Sequence, residues 1–442
     1  MFNPPLVRAP VKRAVLRRAI AAIVVATALS AHAQPQEPLL PADATLTRLV
    51  DESLAARPEL AQAQAVVQAQ AERIPQAGAL PDPMLQVGVQ NDGFTSIEIG
   101  RMDTSFVSVM AAQTLPWPGK RDLQQEVAAL GATAAKQSVE RVRLSTVAEV
   151  RRAYLDLVLV RDRLALLDAL EASWENSAGV ARARYQAGDG AQSDMLRAQL
   201  ELNRLKQRRI GQKAKVRSLV QAINRLRAHP LDEPIETSSH IRGLPALASH
   251  AGRFSVERTL ARSPELAAAV LAITRADRAV ALADKGSYPD LTVSAGVMIR
   301  GTLPPMWLVT VGGPVPLYAG SKQRRAVAES RALESAAEHE HAALAQVLRL
   351  RSEQRRTAFV ALVDTVAVYE QGLLVQSEAT TQSTLAQYKV GKVAFASVLE
   401  ANAGFLADQE GVLEAIAAGY RILIAEDEVS TEETAMLEEG RP

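Results

Sequence analysis

Two stretches of nearly seventy residues, 120–187 and 321–390, have no proline in their interiors, and Gly131, Gly179 and Gly372 are the only glycines inside them. Proline and glycine are the usual helix breakers, so each stretch is expected to be a single helix. At ~1.5 Å rise per residue it would span roughly 100 Å. No globular core holds a helix of that length from one end, so it must lie sideways against similar helices. Leu144, Val147, Val150, Tyr154, Leu157 and Val158 recur at three- and four-residue intervals and supply the apolar stripe for such packing. Aromatics make up only 4% of the residues while Ala, Leu, Gln, Arg and Glu dominate, which again favours long helices over a compact mixed core.

The long stretches belong to a repeated order of parts. Arg57-Pro58-Glu59-Leu60-Ala61 is echoed by Ser263-Pro264-Glu265-Leu266-Ala267, and Pro81-Asp82 by Pro289-Asp290. LPWPGK at 115–120 is echoed by VPLYAGSK at 315–322, and YQAGDGAQSDMLRAQ at 185–199 by YKVGKVAFASVLEAN at 388–402. Four matches in one order, about 200 residues apart, indicate an internal duplication. The first half is expected over 34–228, with strands at about 84–91 and 105–114 and helices at about 120–187 and 193–228. The second is expected over 256–425, with strands at about 290–300 and 306–316 and helices at about 321–390 and 395–425. Between them 229–255 carries Pro230, Pro234 and Pro245, loses periodicity and reads as a linker. The acidic tail, 426–442, reads as poorly ordered.

The short segments alternate. Leu291, Val293, Ala295, Val297 and Ile299 oppose Thr292, Ser294, Gly296 and Met298, and Trp307, Val309 and Val311 oppose Thr310 and Gly312. Leu85, Val87 and Val89 against Gln86, Gly88 and Gln90, then Val107, Val109 and Ala111 against Ser108 and Met110, repeat the pattern. Segments of about ten residues with one apolar face suit either a sheet packed on its own core or the wall of a membrane β-barrel. Trp117, Tyr288, Trp307 and Tyr318 fall near segment ends, where an interfacial girdle would sit. Four strands close no lumen, so a barrel would have to be shared by several chains.

At the N-terminus Arg8, Lys12, Arg13, Arg17 and Arg18 precede the apolar run AIAAIVVATALSA (19–31), and Ala31-His32-Ala33 is a small-x-small cleavage site. Residues 1–33 therefore read as a secretory signal, too short to span as a helix. No later stretch is expected to reach spanning length. Net charge is +1, giving no field to attract nucleic acid. Cysteine is absent, which excludes disulfides, thiolate metal sites and a lipidated cysteine.

Taken together, the doubled strand-pair and long-helix order, Pro81-Asp82-Pro83, LPWPGKR (115–121) and the two Tyr-x-x-Gly breaks resemble the outer-membrane efflux protein family, the TolC-like ducts, over about 44–425. The resemblance implies a mainly α fold with a small β part. Three chains would share a 12-stranded outer-membrane β-barrel, continued by a long periplasmic α-helical barrel, with 229–255 and residues near the C-terminus forming an equatorial belt around its middle. It implies no enzyme and no cofactor, and no phosphate-binding loop, nucleophile elbow or metal-ligand cluster is evident in the sequence. Partners would be outer-membrane lipid, a periplasmic adaptor at the helix tips and an inner-membrane RND-type pump. PDPML (81–85) and LPWPGKR resemble the heavy-metal branch of the family. Drugs or secreted proteins as cargo, and a secreted helical scaffold that conducts nothing, are the alternatives.

Within that resemblance Asp194 and Tyr388 match a pair that holds the entrance closed, with Ser193 and Ser397 beside them. Asp194 with Ser193 equally reads as a helix N-cap. The family's arginine two residues beyond the second glycine is Val393 here. Glu400 matches a lumen carboxylate that favours cations, and Ser397 replaces a second one; a solvated helix glutamate is the plain alternative for Glu400. Gly188 and Gly391 are expected to end the long helices in a left-handed conformation. Met84, Met110 and Met298 fall on the polar face of the strands, where thioethers suit soft cations but also serve as flexible filler. His339 and His341 lie two apart on a helix and face different ways, and His240 and His250 have no supporting ligand pattern, so no metal site is assigned.

Overall fold

The computed structural model describes residues 43–431, so the signal expected at 1–33 and the tail beyond 431 lie outside the described residues. Helix α1 (Ala44–Ala56) is capped by Asp43, whose carboxylate accepts from the Thr45 backbone N–H at 2.9 Å. Helix α2 (Pro58–Gly78) starts on a proline, which needs no donor there. Strands β1 (Met84–Gln90) and β2 (Phe106–Leu115) lead to α3 (Lys120–Gln186) and α4 (Gln192–Leu226). The same order then recurs: α5 (Val256–Arg262), α6 (Pro264–Lys285), β3 (Leu291–Arg300), β4 (Leu303–Gly312), α7 (Gln323–Val368), α8 (Leu374–Lys389) and α9 (Phe395–Glu428). Most of the fold is helix, with one small sheet.

Two elements depart from expectation locally. Strand β4 starts at Leu303 and stops at Gly312 instead of covering 306–316, because Pro314 and Pro316 remove ladder donors. The second long helix, expected to be regular over 321–390, contains a π turn at Tyr369–Leu373 between α7 and α8. A π turn inserts an extra residue and re-phases the helix faces. This continuous helix, Gln323–Lys389, also carries a window with mean hydropathy 1.5, only 6% of it buried. By length and composition alone this window is apolar enough for a spanning helix, where no later stretch of that length is expected from the sequence.

The sheet is antiparallel in the order β1-β2-β3-β4, with Val87 opposite Val109, Val109 opposite Val297 and Val297 opposite Trp307. Its valine face is bare. Along β3, Leu291, Val293, Ala295, Val297 and Ile299 are exposed while Thr292, Ser294, Gly296, Met298 and Arg300 are half-buried. That is the reverse of a sheet packed on its own core.

Below the sheet α3 is the central strut. It packs on α2 and α6 near its start, where Arg121 donates to the Gly78 carbonyl at 2.8 Å and Arg278 lies 3.3 Å from Glu126. Farther along it packs on α4 and α9, where Arg421 bridges Asp156 at 2.7 Å and Glu414 at 2.6 Å. The largest core gathers Leu49, Tyr154, Leu157, Val158, Ile223, Phe359, Tyr420 and Ile422 around mid-length. A second joins Leu167, Leu170, Trp174, Leu205 and Leu406, and a third joins Ala181, Ala198, Tyr388, Phe395 and Val398 at the tip.

The segment 229–255 is packed into the middle of the molecule. Ile235, Ile241 and Leu247 are buried in the main core, and the Tyr420 hydroxyl donates to the Pro245 carbonyl at 2.8 Å. Periodicity cannot reveal such anchors, because the chain between them has no regular repeat. Nor does an unstructured tail begin at Glu426. Helix α9 continues to Glu428, and its last three residues, all acidic, serve as counter-ions. Glu426 accepts from Thr259 at 2.7 Å, Ser352 at 2.9 Å and Arg355 at 3.4 Å, and Glu428 pairs with Arg152 at 2.6 Å. Asp427 lies among Arg151, Arg253 and Arg262; burial pushes its carboxyl up and the three guanidinium groups oppose that.

Candidate entrance at the helix tips

Both long helices end in the same backbone device. After α3, Gly188 takes φ +82, its N–H bonds the Tyr185 carbonyl at 3.1 Å, and the Asp189 N–H bonds Arg184 O at 2.9 Å. After α8, Gly391 takes φ +76, its N–H bonds Tyr388 O at 3.0 Å, and the Lys392 N–H bonds Gln387 O at 2.9 Å. Glycine occupies the left-handed position that a β-carbon disfavours, and the wide bond closes a Schellman turn. Two helical hairpins, α3–α4 and α8–α9, thus end side by side.

The hairpins are joined by side chains. Tyr388, 1% exposed, donates its hydroxyl to Asp194 Oδ2 at 3.2 Å. Its ring packs on Phe395 with centroids 5.1 Å apart. Burial, then the charge and hydrogen bond of Asp194, push the Tyr388 hydroxyl up to about 12. The capping alternative for Asp194 fails: α4 begins after Ala191, which makes no side-chain cap, and the Asp194 carboxylate is turned across to α8. Ser193 is exposed and Ser397 half-buried, and neither joins the Asp194–Tyr388 pair.

Arg184, missed in the sequence, completes the contact. Its guanidinium donates to the Tyr388 carbonyl at 2.6 Å and to the Asp189 carbonyl at 2.9 Å, and lies 4.8 Å from the Tyr388 ring centroid. Val393 stands where the family resemblance implies an arginine, yet the first hairpin presents a guanidinium to the second from Arg184. The available signal was its place in the last helical turn, where a cation meets orphan carbonyls.

Glu400 is not part of this cluster. It is exposed on α9, about one and a half turns from the helix start, and lines a groove of about 680 Å³ with Trp174, Glu201, Arg204, Arg208 and Glu410. Among the described residues no group of three or more His, Cys, Asp or Glu is placed to hold a metal. The tip geometry joins the two hairpins through side-chain contacts.

No curated protein matches the chain by sequence. Its fold is similar to that of the outer membrane protein VceC from Vibrio cholerae, at 17% identity and TM-score 0.70 over 87% of this chain and 95% of that one. It is similar to the open state of the Neisseria gonorrhoeae MtrE outer membrane channel, at 15% identity and TM-score 0.72 over 88% and 89%. A further similar fold is CusC, at 16% identity and TM-score 0.72 over 88% and 92%. At these identities the likeness is one of fold. The outer membrane efflux protein model matches residues 49–229 and 256–425. The chain belongs to that family, and is accordingly an outer-membrane channel reaching into the periplasm and not an enzyme.

Proposed function

We propose that the chain is one third of a passive exit duct that conducts heavy-metal cations out of the periplasm. Three copies close their sheets edge to edge, β4 of one chain against β1 of the next, into a 12-stranded barrel. The duplicated helices continue it as a periplasmic tube whose hairpin tips are the entrance. A periplasmic adaptor meets those tips, and an inner-membrane RND-type pump supplies energy and cargo.

The observation that carries this reading is the inversion along β3, whose valine face is open while its polar face is half-buried. Exposed apolar positions on both sides of the β2–β3 pair need lipid to cover them. The unpaired outer edges of β1 and β4 would otherwise invite aggregation, and closure between copies removes them. The apolar window on Gln323–Lys389 supports the same assembly, since Val360, Val368 and Val375 are exposed on one chain and a neighbouring copy would cover them. The metal cargo is supported by the PDPML and LPWPGKR resemblance and by the carboxylate at Glu400.

Electron microscopy of detergent-extracted protein tests the assembly. A threefold tube is expected, and protein that stays soluble and monomeric without detergent overturns it in favour of a scaffold. Sensitivity of a deletion strain to copper, silver, zinc, cobalt and cadmium beside a drug panel tests the cargo. Drug hypersensitivity with unchanged metal tolerance would overturn the metal assignment alone.

A further inference from the structure

We propose that Met110, Met298 and Met306 form a thioether site for a soft monovalent cation of the Cu(I) or Ag(I) class on the polar face of the sheet. The strand register brings together residues far apart in sequence. Met298 on β3 is directly opposite Met306 on β4, and Met110 on β2 is opposite Gly296, two residues from Met298 on the same face. Directly opposed side chains start about 5 Å apart and diagonal ones about 7–8 Å apart, within reach of a flexible methionine. Gly296 makes the convergence possible. A β-carbon there would lie 2.5 Å from Met110 Cγ, so the Met110 side chain lies across β3 only because that position is bare.

Filling a gap does not explain these side chains. Met110 and Met298 are half-buried and Met306 is 38% exposed, on a face with no core to fill. Neutral sulfur ligands prefer soft cations and ignore hard ones such as magnesium or calcium. Arg300, two residues from Met298 on this face, has its charge engaged by Asp103 at 3.3 Å and donates to the Pro304 carbonyl at 2.8 Å. Only access from a lumen rests on the barrel assembly proposed above; the ligand cluster lies within one chain.

The test titrates Ag(I) alone into the full-length protein in detergent and reads affinity by calorimetry and ligand type by silver-edge X-ray absorption. Saturable binding with sulfur neighbours is expected. Met298→Leu and Met306→Leu, which keep side-chain volume, should each weaken it on the order of tenfold or more. Met195→Leu, at the start of α4, should leave it unchanged. Absence of saturable binding, a shell without sulfur, or equal affinity in Met298→Leu and Met306→Leu would overturn the site. Ion conductance of the same preparations in planar bilayers separates the two proposals: a conducting protein without sulfur ligation loses only the site, and a non-conducting protein that binds Ag(I) through sulfur loses only the duct.

Discussion

The guanidinium of Arg184, at the end of α3, lies 4.8 Å from the ring centroid of Tyr388, at the end of α8, and donates to the Tyr388 carbonyl at 2.6 Å. One side chain thereby holds the second turn by its ring and its backbone while also holding its own turn through the Asp189 carbonyl. A charged hydrogen bond of this kind contributes about 1.5–3 kcal/mol and a stacked cation about 0.5–1 kcal/mol. At a half-exposed tip the lower ends apply. Arg184→Ala is therefore expected to loosen the two hairpins and raise the conductance of the reconstituted channel in planar bilayers. Arg184→Lys should recover only part of the closure, because an ammonium cannot fork to two carbonyls as a guanidinium does. Equal conductance in all three proteins would remove Arg184 from the gate.

The Tyr388–Asp194 bond gives a second test with a definite pH sign. The hydroxyl must be protonated to donate, and its folded value of about 12 lies above the ordinary tyrosine range near 10. Its contribution is thus fully present below pH ~10 and is lost as pH rises through ~12. Tyr388→Phe and Asp194→Ala are each expected to raise conductance at neutral pH. In the native protein, conductance should hold through pH ~10 and rise only above it, a step that Tyr388→Phe lacks. Unchanged conductance in both variants would leave the pair a packing contact.

Glu400 tests selectivity separately from closure, since it lies away from the tip contacts. Around a threefold axis three carboxylates would repel one another and favour a bound cation. Glu400→Ala should shift the reversal potential in a salt gradient toward that of a non-selective pore, with little change in conductance at high salt. An unchanged reversal potential would make Glu400 an ordinary solvated helix residue.

The acidic end of α9 predicts a stability effect where the sequence suggested none. Arg355 and Glu426 are 3% and 6% exposed and lie 3.4 Å apart, so removing either takes the contacting ion partner from a buried charge. Glu426→Ala should cost about 3–5 kcal/mol, whereas Arg355→Met with Glu426→Leu should be close to neutral. Thermal unfolding in detergent measures both, and an unaltered midpoint in Glu426→Ala would contradict the network.

What was legible in the sequence was whatever repeats or alternates. The absence of proline marked α3, the three-and-four spacing marked its packed face, and the alternation of Val293 and Val297 with Ser294 and Met298 marked β3. The paired breaks marked Gly188 and Gly391 as turns. What was illegible depends on contacts between distant segments. Arg184 meets Tyr388 across 204 positions, and Glu426 looked like tail because its partners, Thr259, Ser352 and Arg355, lie elsewhere in the chain. Ile241 and Leu247 sit in a stretch without periodicity, so their burial leaves no pattern to read.

The face of the sheet offers the sharpest test of duct against scaffold. Val297 and Ser294 lie three residues apart on β3 and point to opposite faces, and Val297, at 48%, is the more exposed. By ordinary surface reasoning an exposed valine tolerates a charge and a half-buried serine does not. In a barrel the expectation reverses, because the exposed face meets hydrocarbon. An arginine there costs about 2–4 kcal/mol at the bilayer midplane, while on the lumen side it meets water. Val297→Arg is therefore expected to lower the yield of assembled, heat-resistant oligomer in outer-membrane fractions. Ser294→Arg should assemble normally and reduce cation conductance by adding a threefold ring of positive charge. If Val297→Arg assembles like the native protein while Ser294→Arg fails, the sheet packs on protein and the barrel reading is wrong.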